Sequence, residues 1–219
     1  KIYETSKAAF PILKEYWLAA GLNEANAAYC AKRPGSYVES FTGKKRQGHH
    51  WSAAFISYVM RASGEEDFSS INHTPFFWKA YHNRVKFLKD PDSFKGRDFY
   101  MLFFADEGVF PVEGNNLFYN RSNNSSRSLN YTKNFFKRNY NGSERGPNQD
   151  SHSDIYIGAG DAIGGNVSQT VSKYPSRYKA IVKKISSFYF DPVKIESQTN
   201  AIDFTDFNSS DQPEKDFKS

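Results

Sequence analysis

The 219 residues are 38% hydrophobic and 17% aromatic, enough apolar mass for one sizeable core. Cys30 is the sole cysteine, which excludes an intrachain disulfide and a zinc–thiolate cluster, and no apolar run approaches the roughly 18 residues of a membrane span. The net charge of +5 and pI near 9.1 favour anionic partners such as nucleic acid, phospholipid or cell-wall polymer.

Ala9, Ile12, Leu13, Tyr16, Trp17 and Ala20 recur at helical steps and stop at Gly21, predicting a first helix with Pro11 in its first turn or at a kink. A short helix is expected over Glu24 to Ala31. Cys30 within it reads as buried filler. The segment "KRPGSYVESFTGKKRQGHH" reads as an exposed loop. Helical spacing resumes with Trp51, Ala54, Phe55, Tyr58, Val59 and Ala62, and Gly64 supplies the stop. A third helix is expected from "HTPFFWKAYHNRVKFL", capped by Thr74 with Pro75 as its first residue.

Beyond Pro91 the texture is aromatic and β-branched, broken by Gly and Asn: "DFYMLFF", "NNLFYNR", "SDIYIGAGDAIGGNVS" and "YKAIVKKI" read as strands. Helices first and strands afterwards predict an α+β fold, with N-terminal helices packed on an antiparallel sheet. Residues 1–195 are expected to form one domain. Within it, 121–149 is a basic, Ser/Asn-rich insertion, read as a solvated loop that carries function or is disordered. Its interleaved Tyr131, Phe135, Phe136 and Tyr140 admit base stacking, but no nucleic-acid module surrounds them, so no nucleic-acid partner is expected. Residues 196–219 hold six carboxylates against two lysines, an acidic and mobile tail of net −4 that leaves about +9 on the body. No charged-then-apolar leader is legible in a chain that starts at Lys1, and export stays an open reading.

In the segment from His152 to Ile157, alternation puts His152, Asp154 and Tyr156 on one face and Ser153, Ile155 and Ile157 on the other. A three-residue loop, Gly158-Ala159-Gly160, pairs Ile157 with Asp161 and, counted back, His152 with Asn166. An imidazole facing an amide or carboxylate is an oriented general base, with Asn166 the first choice of partner and Asp154 the second. Ser52 opens a helix whose free backbone N–H groups can stabilise an oxyanion, so Ser52, His152 and Asn166 together read as a hydrolytic set. The bland readings are a Ser52 that only serves the helix start, a His152 at a strand edge and a "GGN" that is simply a bulge. His73 next to the Thr74 position, and His49, His50 and His82, read first as structural or surface groups. No HExxH or comparable ligand spacing occurs, so neither a metal nor any other cofactor is expected. No G-x-S-x-G elbow surrounds Ser52 either.

Four blocks in order, "WSAAFISYVMRASG", "INHTPFFWKAY", "EGNNLFYNR" and "HSDIYIGAGDAIGGNVSQTV", resemble a bacterial family of uncharacterised domains that read WSAAFIS, HxxY, GDL, HCDIV and IGGNV. That family in turn resembles the papain-like NlpC and CHAP cell-wall hydrolases, whose first helix begins with a catalytic cysteine. The likeness spans about Glu15 to Val171. It implies a papain-like fold, Ser52 as nucleophile, His152 as base and Asn166 as third polar residue. Trp51, His50, His73, Arg121 and Tyr156 are expected to bind substrate. Here serine stands for the superfamily's cysteine, "GNNL" for GDL, "HSDI" for HCDI, and His50 for a frequent proline. The implied activity is that of an amidase or endopeptidase acting on bacterial peptidoglycan in the periplasm or wall. The implied protein is a monomer, secreted or delivered by phage lysis or a type VI apparatus as an antibacterial toxin with a cognate immunity protein. The alternatives are a catalytically silent wall- or protein-binding module, or a serine esterase on the same fold.

Overall fold

A computed structural model describes residues 4–38, 45–65, 68–120, 128–167, 170–176 and 178–185. The expected position Arg121 and the acidic tail at 196–219 lie outside these residues. The order is helix α1 (Ala9–Ala19), helix α2 (Glu24–Ala31), strands β1 (Ser36–Val38) and β2 (Lys45–Gln47), helix α3 (Ser52–Ala62), helix α4 (Thr74–Lys89), and strands β3 (Phe99–Phe104) and β4 (Asn116–Asn120). Helix α5 (Leu129–Asn139) and strands β5 (Ser151–Tyr156), β6 (Asp161–Val167), β7 (Thr170–Pro175) and β8 (Ala180–Ile185) complete it. The fold is α+β. Six strands form one antiparallel sheet in the order β3-β8-β4-β5-β6-β7, and β1 pairs with β2 in a separate two-stranded hairpin.

The period of two along the strands divides the core. Leu102, Phe104, Phe118, Ile155, Ala180 and Val182 join the helices in the main core, where Trp17, Phe55, Ile56, Phe77 and Trp78 are buried. On the opposite face Leu117, Ala162 and Ile181 are covered by Tyr119, Tyr156 and Tyr178. At the β3 end, Phe87, Phe94, Phe99, Met101 and Phe103 form a third cluster. Arg84 of α4 is buried and grips Glu107 with two hydrogen bonds of 2.6 and 2.7 Å while also donating to the Leu102 carbonyl, so this buried pair is well matched.

Three expectations are corrected. First, the exposed loop before Trp51 contains the β1–β2 hairpin, closed by His49 N–H donating to the Arg33 carbonyl and Gly35 N–H to the His49 carbonyl. Second, the 121–149 insertion is not a solvated loop over its described part. Ser128 caps α5 through the Tyr131 N–H, Phe136 is wholly buried against Trp78 and Phe118, and the Trp78 indole N–H donates to the Pro147 carbonyl. One fully buried aromatic outweighs several surface cations, which point outward from an amphipathic helix. Third, Thr74 does not cap α4. Its hydroxyl accepts from Gln149 N–H at 3.1 Å and donates to the Gln149 carbonyl at 3.2 Å, pinning the segment that enters β5, and His73 occupies the N-cap position with no side-chain cap.

The Gly158-Ala159-Gly160 turn has positive φ at all three residues, and Ile157 and Asp161 meet as expected, with Ile157 N–H donating to the Asp161 carbonyl at 3.0 Å. The pairing does not run back to His152 and Asn166. β6 bulges between Gly164 and Val167, and Asn166 has φ 59°, in the left-handed region.

Candidate active site at the α3 N-terminus

Helix α3 starts at Ser52 because Trp51 leaves helical geometry there and is fixed in the core: its indole N–H donates to Glu4 at 2.6 Å and its ring lies against Tyr16. Gly165 lets α3 approach β6, since a Cβ there would stand 2.5 Å from the Cβ of Phe55. The first turn of α3 has no side-chain cap at Trp51, and a helix N-terminus carries the positive end of the helix dipole.

Ser52 hydrogen-bonds His73. Its Oγ lies 2.7 Å from His73 Nε2, and His73 Nδ1 lies 2.6 Å from Ser153 Oγ. All three side chains are buried, and Ser52 and His73 both line a cleft of about 530 Å³. Trp17, Leu22 and Ile71 give that cleft an apolar wall, and Asn148, Gln149 and Asp150 give it a polar one. Cys30 also lines it, but burial pushes the thiol up, against the opposing effect of Arg33, which suits the filler reading.

His152 stands beside this chain of contacts. Its ring packs edge-to-face with His73 at 4.9 Å, and its Nε2 is 3.0 Å from Asp154 Oδ1, at ion-pair distance without hydrogen-bond alignment. Asp154 is fully buried on the tyrosine-covered face and accepts a short hydrogen bond from Tyr174. Burial, followed by the Asp154 charge, pushes the Tyr174 phenol up, so it remains a donor. Gly164 is what admits the carboxylate: a Cβ there would collide with Asp154 Oδ1 and press on the Tyr174 hydroxyl.

The expected residues therefore divide. Ser52, His73 and His152 come together, and Asp154, the second choice of orienter, is the group at His152. Asn166 is elsewhere, its amide 3.2 Å from His50 Nδ1, and His50 lines the cleft. Trp51 is core rather than cleft wall. Tyr156 belongs to the far face, where its hydroxyl accepts from Gly160 N–H. Sequence reasoning missed Ser153 and Tyr174. A signal for Ser153 existed: Ile155, two residues along, marks that face of β5 as the one against the helices. Tyr174 had none, being on a short edge strand, TVSKYP, with no sustained apolar alternation.

Among the described residues no group of three or more His, Cys, Asp or Glu is placed to hold a metal, and no helix is long and apolar enough to cross a membrane. Neither the curated proteins nor the solved structures gave a match to this chain. A family profile does match, over residues 4–184, which hold the whole cleft and both histidines. The chain thus belongs to the bacterial family DUF2272, described as an uncharacterized protein conserved in bacteria.

Proposed function

We propose that the protein is a hydrolase of papain-like type that cleaves an amide bond of bacterial peptidoglycan, with Ser52 as nucleophile and His73 as general base. The observation that carries this is the 2.7 Å contact between Ser52 Oγ and His73 Nε2 at the mouth of an uncapped helix and in the wall of a cleft. A serine hydroxyl is a weak nucleophile until a base takes its proton, and a base within hydrogen-bond reach is the geometric requirement. For Nε2 to accept, the ring proton must sit on Nδ1, where Ser153 Oγ stands within hydrogen-bond reach to accept it.

As Ser52 Oγ bonds to the carbonyl carbon, its proton passes to His73 Nε2 and the carbonyl electrons move onto oxygen, beside the first-turn N–H groups of α3. Collapse of that intermediate breaks the C–N bond, and the departing amine takes the proton from His73. Water then repeats the sequence on the acyl-serine, releasing the acid and restoring the hydroxyl. Ser153 is neutral and supports the imidazolium less than a carboxylate does; Asp154, one ring further away, places a carboxylate behind it through His152.

The peptidoglycan assignment is supported by the likeness of the four sequence blocks to a bacterial domain family that in turn resembles wall hydrolases, and by the basic body of the chain. It sets the place of action in the periplasm or wall. Delivery as an antibacterial toxin, with a cognate immunity protein, belongs to the same reading. Incubation of the protein with purified sacculi should release new free amines or shortened muropeptides, and Ser52→Ala and His73→Ala should each abolish the release. Sedimentation with the wall and no product would favour a binding module, and turnover confined to small esters would favour an esterase.

A further inference from the structure

The far face of the sheet holds a buried carboxylate that the hydrolytic steps do not touch. Asp154 is wholly inaccessible to solvent, Gly164 makes the space it fills, and the group that hydrogen-bonds it is the Tyr174 hydroxyl on β7. A carboxylate is expensive to bury unless it is paired, and here its other oxygen faces His152 Nε2 at 3.0 Å. His152 in turn lies against the ring of His73. A line of contacts thus runs from an edge strand through the sheet to the proposed base.

We propose that Tyr174 is a positioning residue, which holds the Asp154 carboxyl aimed at His152 and so sets the electrostatic surroundings of His73. The role rests on the hydrolytic reading of the cleft. Among the described residues, titratable groups facing this assembly are Tyr174 from β7, Tyr119 from β4, whose ring centre is 6.5 Å from that of His152, and His73 from the start of α4, while β6 brings Gly164 against the carboxylate. The Tyr174 hydroxyl stabilises the charged form of Asp154, so its loss makes the carboxylate more basic and the His152–Asp154 pair binds its proton more readily.

The test is an NMR titration of the histidine rings and carboxyl carbons in the full chain, which needs no substrate. In Tyr174→Phe, the proton of the His152–Asp154 pair should be taken up at higher pH than in the unaltered protein, by roughly one unit, the size of a hydrogen bond to a charged group. A 3-fluorotyrosine at position 174 keeps the side chain's shape with a more acidic hydroxyl, and should move the same midpoint downward. An unchanged midpoint, or movement in the opposite sense, in a folded variant overturns the role; should Tyr174→Phe fail to fold, the fluorotyrosine protein decides alone. Failure of the hydrolytic reading would appear differently, as intact sacculi with the titration shift still present.

Discussion

His73 and His152 lie with their rings 4.9 Å apart, yet they belong to two different polar clusters. His73 sits on the helix side of the sheet, its nitrogens at two hydroxyls, Ser52 and Ser153, and its edge in the cleft wall. His152 is the second residue of the strand that also carries Asp154, and its partners are a carboxylate and the tyrosine layer behind the sheet. The first cluster joins two hydroxyls to an imidazole and opens on the cleft; the second joins an imidazole to a carboxylate, and neither His152 nor Asp154 lines that cleft. What separates the two rings is reach: His73 is within hydrogen-bond distance of the Ser52 hydroxyl, whereas His152 meets a carboxylate and touches His73 only ring to ring.

The largest expected effect separates the two rings. His73→Ala should lower hydrolysis by about 10²–10⁴-fold, the usual span for a lost general base. His152→Ala should lower it only on the order of tenfold, about 1.4 kcal/mol of transition-state stabilisation. Steady-state rates on muropeptides check this, and a reversed order would make His152 the base.

Two adjacent glycines sharpen the contrast, because they face opposite clusters. Gly165→Ala drives a Cβ into Phe55 and should displace α3 with its serine, at a cost of about 1–3 kcal/mol in chemical denaturation. Gly164→Ala instead displaces the Asp154 carboxylate, so its stability loss should come with an altered His152 titration and an undisturbed Ser52–His73 contact.

The smallest effect comes from a histidine outside both clusters. Burial, with Lys86 one turn away, holds His82 below its ordinary value of 6.5. Its folded value is depressed, so its stabilising contribution is whole above pH 6.5 and is lost as pH falls from there towards the folded value. Thermal melts of His82→Phe should show a shallower decline over that acid window than the unaltered protein.

Much of the scaffold was legible because it is written locally. The 3.6-residue stripes ending at Gly21 and Gly64 mark α1 and α3, and three positive-φ residues after Ile157 mark the hairpin. What escaped is non-local. The Asn166 position was extrapolated through ten residues of ladder, and one bulge after Gly164 sent its amide to His50. The partner of Ser52 is 21 residues away on the next helix, and no periodicity encodes how two helices cross. The basic composition of 128–149 concealed that Phe136, wholly buried, and Phe135 beside it dock the helix on Trp78. On β5, alternation assigned the two faces correctly, and only Ile155 told which of them meets the serine.

The central claim is that the Ser52 hydroxyl is activated by His73. A fluorophosphonate probe reacts with a serine only where a base withdraws its proton, and peptide mass spectrometry locates the adduct. The account predicts an adduct on Ser52 that forms in the unaltered protein and in His152→Ala, and fails to form in His73→Ala. Labelling of Ser52 that survives His73→Ala and vanishes in His152→Ala would contradict it.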